Sequence, residues 1–143
     1  MRRKIYVVAA FIEQHGKVLL DRRAKGTHLA DHWEFPGGKR EPGETDEQAL
    51  KRELKEELGV DSVLPSPEQA LASVVHQYEE FDVELVLYAA QIIGEPKALD
   101  VAEINWFDLE DLKVLPMPPA DKPLIDAIFA KRPKSQVNPV QGV

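Results

Sequence analysis

Four acids, Glu44, Glu53, Glu56 and Glu57, lie within the stretch GKREPGETDEQALKRELKEELGV (residues 38–60), at spacings that folding alone disfavours. On an α-helix turning about 100° per residue, Glu53, Glu56 and Glu57 fall within an arc of about 100°. Three carboxylates on one face repel one another by roughly a few tenths of a kcal/mol per pair in water, and by more in a cleft. A bound cation relieves that repulsion, and an all-oxygen ligand set suits a hard ion, Mg²⁺ or Mn²⁺. The competing reading is a solvated acidic face on which Lys51, Arg52 and Lys55 serve as helical partners.

The flanking residues decide between the two readings, because they hold the acids beside a core. Pro36-Gly37-Gly38 and Glu41-Pro42-Gly43-Glu44 are dense in turn formers, so the backbone is expected to bend sharply there and approach a ligand closely. Thr45 with Gln48 three residues on forms a capping-box pattern that starts a helix near Asp46. Leu50, Leu54 and Leu58 give that helix one apolar stripe, the carboxylates line the adjacent arc, and Gly59 is the stop signal. Glu44, at the helix N-terminus, is open to a capping role as well as a chemical one.

Gly38, Glu44, Arg52-Glu53-Leu54, Glu56-Glu57 and Gly59-Val60 match at nine positions over 23 residues what a Nudix box requires, so the chain resembles the Nudix hydrolase family. The preceding Trp33-Glu34-Phe35-Pro36-Gly37-Gly38-Lys39 resembles its MutT-like branch, and the likeness extends more weakly over residues 3–131. That resemblance implies an α+β Nudix fold, an α/β/α sandwich with a mixed β-sheet, and a Mg²⁺-dependent hydrolase of phosphoanhydride bonds for which Mn²⁺ can substitute. It implies Glu53, Glu56, Glu57 and the Gly37 carbonyl as metal ligands, and Glu53 as the base or water-orienting group, with Arg52 fixing its position. It also implies a further acid from a loop before a tryptophan. Asp100 lies six residues before Trp106 and Glu103 three, and both stay open.

A diphosphate resists hydroxide because its oxygens are already anionic, so a catalyst must neutralise charge, align water and stabilise the departing phosphate. For the substrate, Arg22 and Arg23 at the end of a strand are candidate phosphate clamps, against the alternative of ordinary strand-end charges, and His28 is a candidate for the same cleft. The segment LPMPPADKPLI (115–125) resembles the MutT segment that holds the base, with Asp121 in place of asparagine. An ionised carboxylate only accepts hydrogen bonds. It suits guanine N1–H and the 2-amino group, or the cytosine 4-amino group, and repels a purine O6. Phe35 and Trp33 are candidates to flank the base, with buried packing as the alternative. Tyr78 lies 18 residues past Val60, near where dinucleoside polyphosphate hydrolases of this family carry a stacking tyrosine.

The expected activity is conversion of nucleoside triphosphates, oxidised purine deoxynucleotides first, to nucleoside monophosphate and pyrophosphate. Rivals within the fold are a (d)CTP-type pyrophosphatase, an RNA 5′-pyrophosphohydrolase and a dinucleoside polyphosphate hydrolase. A catalytically silent nucleotide-binding module is a rival of another class, although such domains lose box carboxylates that this chain keeps, and a purely structural acidic domain is a third.

Composition bounds these readings. With 143 residues and 43% hydrophobic content, the chain can bury one substantial core, so a single domain is expected over 1–131. The tail 132–143, with two prolines and little apolar content, is expected to be mobile. A net charge of −7 disfavours wrapping a long nucleic acid, leaving at most an RNA 5′ end as a polymeric partner. No run of 18 apolar residues suggests a membrane span, and Met1-Arg2-Arg3-Lys4 leads into a strand pattern rather than a signal peptide. The lack of cysteine fits a reducing compartment, with the cytoplasm as the expected location. Whether the chain is a monomer or a dimer is not encoded in any pattern found. Periodicity predicts strands over 5–13 and 18–23 joined at His15-Gly16, then 33–35, 70–78, 83–93 and 104–107. A last helix is expected from Pro119 to about Lys131.

Overall fold

The computed structural model describes residues 2–26 and 30–131. A four-stranded mixed sheet runs in the order β5 (Gly37–Lys39), β1 (Arg3–Phe11), β8 (Phe81–Ala89), β7 (Ala72–Gln77). β1 and β8 are parallel, with Val7 opposite Leu85 and Ala9 opposite Leu87. Side chains of β1 alternate between two helices, which is what makes the fold a sandwich. Val8, Ala10 and Ile12 pack with Leu50, Leu54 and Leu58 of α1 (Asp46–Leu58). Ala9 and Phe11, on the other face, pack with Leu124, Ile125 and Ile128 of α2 (Asp121–Lys131). With both faces covered, the second half of β1 is buried throughout. The fully buried Leu54 would cost about 2–5 kcal/mol to replace with alanine.

A second sheet is built on β3 (Lys17–Arg22), which pairs with β10 (Glu103–Asp108), β2 (Glu13–Gln14) and β4 (Trp33–Glu34). The hairpin between β2 and β3 turns at His15 and Gly16, both at positive φ (54° and 79°), as the sequence predicts. β6 (Asp61–Val63) and β9 (Gln91–Ile93) form a separate ribbon. Among the described residues no helix is long and apolar enough to cross a membrane.

α1 starts and stops where its sequence signals lie. The Thr45 hydroxyl accepts the Gln48 N–H (3.1 Å), the Gln48 side chain accepts the Thr45 N–H (2.9 Å), and Gly59 closes the helix at φ 71°. Three expectations change. Residues 37–39 form a strand against β1 instead of a bend. The expected strand 83–93 breaks at Ala90, whose N–H bonds to the Phe11 carbonyl, and the chain then leaves for the ribbon with β6. The last helix begins at Asp121, because Pro118 and Pro119 form the turn before it and their carbonyls accept the Asp121 and Lys122 N–H groups. The predicted tail, 132–143, lies outside the described residues.

Candidate active site

A cavity of about 650 Å³ opens between β5 and α1 on one side and the β7–β8 turn and the start of α2 on the other. Arg52, Glu53, Glu56 and Glu57 line one end of it, and Arg23, Phe35, Tyr78 and Asp121 the other.

The box end is built on the close approach of β5 to β1 and α1. A Cβ on Gly37 would come within 2.0 Å of the Val8 carbonyl oxygen, and one on Gly38 within 2.3 Å of the Glu53 carboxyl carbon. These two glycines therefore serve contact rather than turning, and their lack of a side chain lets the strand lie against the acidic face of the helix. The Gly37 N–H donates to Glu57 Oε1 at 3.2 Å. Arg52 is the internal counter-ion. Its guanidinium bonds both oxygens of Glu44 (2.7 and 2.9 Å), Glu53 Oε2 (3.0 Å), Glu56 Oε1 (3.4 Å) and the Lys39 carbonyl (3.0 Å). Glu44 is thus held by Arg52 and by the Glu41 N–H (2.9 Å), while Thr45 takes the cap. Those bonds, Arg52 foremost, pull the Glu44 carboxyl down to about 2.

Glu53 and Glu57 behave in the opposite way. Partial burial raises Glu53, against the opposing pull of Arg52. Burial raises Glu57 well above the usual carboxylate range, and the neighbouring Asp21 adds to the shift. A divalent cation would remove the cost that lifts both groups, so the all-oxygen donor set fits such an ion. As the side chains stand, no three acidic or histidine groups among the described residues converge closely enough to form a closed ligand set. Arg52 and the Gly37 N–H occupy carboxylate oxygens that an ion would compete for.

At the other end, Asp121 is 4% exposed on the first residue of α2. Burial pushes its carboxyl well up, with the charge of Glu34 adding to the effect and the Phe35 N–H opposing it. Its Oδ2 has no hydrogen-bond partner. Burial thus favours the protonated form, and a carboxylic acid both donates and accepts, unlike the accept-only carboxylate expected from the sequence. Arg23 clasps both oxygens of Glu34 at 3.1 Å. Phe35 is buried and lines the cavity, whereas Trp33 packs edge-on against Phe107 at 4.8 Å and does not. Tyr78 lines the cavity, and its hydroxyl meets the backbone of Ala120.

Several expected residues are placed elsewhere. Arg22 bonds Asp31 (2.8 Å) and Glu103 (2.9 Å) and lies over the Trp33 ring at 6.0 Å. It does not line the cavity, because successive strand residues point to opposite faces and Arg23 takes the inner side. Glu103 is held by Arg22, so its carboxylate is turned to the β3–β10 pair rather than to the box. Asp100 is exposed and also absent from the lining, although the loop that carries it is tied to α1 through the Leu99 N–H and the Glu57 carbonyl. His28 lies outside the described residues.

Sequence reasoning misses Asp21 and gives Glu34 no role. Asp21 is fully buried on β3, opposite Glu34 of β4, and its carboxyl lies within hydrogen-bond reach of Glu34 and Glu57. A signal for it exists, since one acid interrupts the apolar run Val18-Leu19-Leu20 before the arginines.

Comparison with known proteins agrees with this geometry. The NUDIX domain model matches residues 7–127. The chain is 40% identical over 131 residues to the CTP pyrophosphohydrolase of Escherichia coli, covering 90% of this chain and 93% of that protein. It is 37% identical to the 8-oxo-dGTP diphosphatase of Haemophilus influenzae, covering 90% and 95%. The crystal structure of a MutT NUDIX hydrolase from Burkholderia pseudomallei superposes with a TM-score of 0.76 at 30% identity, over 89% of this chain and 99% of that one. Box, fold and relatives converge: the chain belongs to the NUDIX family, as a MutT-like hydrolase of phosphoanhydride bonds.

Proposed function

We propose that this Nudix hydrolase converts nucleoside triphosphates to nucleoside monophosphate and pyrophosphate with Mg²⁺, for which Mn²⁺ can substitute, and that oxidised purine deoxynucleotides are its preferred substrates. The observation that carries this reading is one cavity with box carboxylates at one end and the buried Asp121 beside Phe35 at the other. A triphosphate lying along it puts its phosphates at Gly37, Gly38 and the glutamates and its base at Asp121.

Hydrolases of this family use a divalent metal. Glu53, Glu56, Glu57 and the Gly37 carbonyl would hold it, and when bound it neutralises the phosphate oxygens and acidifies a coordinated water. Glu53, with Arg52 fixing one oxygen, takes the proton from the attacking water. Glu44 keeps Arg52 in place with two bonds that do not depend on Glu53 or Glu56, the residues that would hold the ion. Phe35 and Tyr78 offer apolar surface to the base and exclude water from it.

In the protonated form that burial favours, Asp121 would donate its proton to O6 and accept N7–H of an 8-oxopurine, which would remove the objection to a purine O6. The same carboxylic acid can donate to cytosine N3 and accept from the 4-amino group. Together with the 40% identity to a CTP pyrophosphohydrolase, this keeps a (d)CTP-type substrate as the second reading. The cytoplasm, where nucleotide pools lie, is the proposed location. A panel of dGTP, 8-oxo-dGTP, dCTP, diadenosine tetraphosphate and 5′-triphosphate RNA, each with and without Mg²⁺, tests the assignment by kcat/KM. The highest value is expected for 8-oxo-dGTP. A best rate on dCTP selects the second reading, and a best rate on either of the last two substrates overturns both.

A further inference from the structure

The turn between β7 and β8 supplies Tyr78 and Phe81 to the base end of the cavity, their rings 5.3 Å apart and inclined by 30°. His76 meets Tyr78 edge-on at 4.6 Å. The turn closes through one short bond, Tyr78 N–H to the Phe81 carbonyl at 2.8 Å. Its tip carries Glu79, Glu80 and Asp82, three like charges that favour opening.

What holds the turn shut comes from the other end of the chain. Because β1 and β8 are parallel, with Arg3 opposite Phe81, Arg2 lies beside the turn. Its Nε bonds Asp82 Oδ1 at 2.8 Å, its Nη1 the Glu79 carbonyl at 3.2 Å, and its Nη2 the carbonyls of Phe81 (3.1 Å) and Tyr78. One guanidinium thus gathers three main-chain carbonyls and a carboxylate of a single turn, a task for a planar fork of donors rather than for a point charge. These partners all belong to the turn and none to the box, and Arg2 does not line the cavity.

We infer that Arg2 is a positioning residue for nucleobase recognition. It staples the β7–β8 turn so that Tyr78 and Phe81 form a fixed aromatic wall facing Phe35 and Asp121, and its effect is confined to the base end of the ligand. This rests on reading the cavity as a nucleotide site with the base at Asp121. The chemical class concerned is a planar heteroaromatic base, whatever its hydrogen-bonding edge, because stacking on a pre-set wall does not discriminate between bases.

The test compares wild type with Arg2→Ala and Arg2→Lys. For the best nucleotide substrate, Arg2→Ala is expected to raise KM about fivefold, with kcat nearly unchanged, as charge-assisted bonds are lost away from the reacting atoms. Arg2→Lys, which cannot reach all four acceptors, should recover only part of that loss. The inhibition constant of inorganic tripolyphosphate, which has no base, should be the same in all three proteins. A merely structural role would weaken both ligands together. Equal KM values in wild type and Arg2→Ala, or a parallel loss of tripolyphosphate binding, would overturn the inference. Calorimetric binding of a non-hydrolysable α,β-imido nucleotide repeats the comparison without turnover. If the wild type hydrolyses no nucleotide, the hydrolase assignment fails, and the binding ratio still decides the role of Arg2.

Discussion

The two ends of the cavity use the same residue types to opposite electrostatic ends. At the box end, Glu44 is drawn down to about 2 by Arg52, and Glu53 and Glu56 share that guanidinium at a partly exposed face. At the base end Asp121 is sealed from water, as Asp21 is behind the box, and burial drives both carboxyls up. Glu57 stands on the boundary, reached by the Gly37 N–H from the box and by Asp21 from behind. A carboxyl is thus an anion or a neutral donor according to the water and cations around it. The molecule exploits the contrast by setting arginine-paired carboxyls where phosphates and cations meet and a sealed one where a base must be read.

The contrast breaks most completely at the box. Replacing Glu56 or Glu57 with glutamine should lower turnover by roughly two to three orders of magnitude, the range seen when a charge-stabilising group is lost. Glu57→Gln carries a second signature. Without divalent ions it should melt higher than wild type, because it no longer buries an ionisable group beside Asp21. With Mg²⁺ it should lose the stabilisation that ion binding gives the wild type. Thermal melts with and without chelator, beside a pyrophosphate-release assay, read both effects. Wild-type rates in both glutamine variants would remove the metal-carboxylate assignment altogether.

Asp121 sharpens the other side. Asp121→Asn keeps a donor and an acceptor and should retain 8-oxo-dGTP hydrolysis, whereas Asp121→Leu should lower its kcat/KM about ten- to a hundredfold. The pH dependence has a definite sign. The unfolded chain ionises this group near pH 4 or just below, while the folded one keeps its proton to well above that. Its contribution to stability is therefore fully present below that pH, and it is lost as pH rises towards the folded value. The melting temperature of Asp121→Asn relative to wild type should accordingly climb from pH 4 upward. In the same direction, the wild-type KM for 8-oxo-dGTP should rise as pH climbs through the folded value and the donated proton is lost, and that of Asp121→Asn should stay level. Matching pH profiles for the two proteins would show that Asp121 is ionised after all.

How much of this is legible in the sequence follows from what each signal encodes. The box helix is, because a capping box, a stripe of leucines and a terminal glycine are local features that tertiary context does not override. Gly37 and Gly38 look like bend formers and are strand residues. A glycine announces an unusual backbone demand without saying whether that demand is a turn or a close contact. Arg22 and Arg23 look equivalent because alternation separates them only once the inner face of β3 is known, and that face is set by Glu34 and Trp33 on a partner strand. The identity of Asp121 is plain, but the direction of its titration is not, since burial in the folded chain and the charge of Glu34 set it. Arg2 reaches its four acceptors through a parallel pairing of residues some 80 positions apart, which no local pattern reveals.

The smallest expected effect concerns Asp21, where the contrast reaches its limit. Both of its oxygens are buried, and the groups they meet are two other acids, Glu34 and Glu57, to which only a shared carboxyl proton can join them. Burying that group beside two like groups is costly, and the charge of Arg23 opposes only part of the effect of burial. An asparagine in its place would have the same shape, no charge to suppress, and amide protons that can be given to Glu34 or Glu57. A carboxylic acid offers these neighbours one proton and the amide two, so Asp21→Asn should stabilise the chelator-treated protein by about 1 kcal/mol, the net worth of one further hydrogen bond. Its effect on kcat/KM should be far smaller than that of Glu57→Gln, because Asp21 stands behind the box and does not line the cavity. Urea titration at neutral pH measures the first quantity and the substrate assay the second. A less stable Asp21→Asn would mean that the acid's proton is itself the bond joining β3 to α1, and that the buried cluster of acids stabilises the fold.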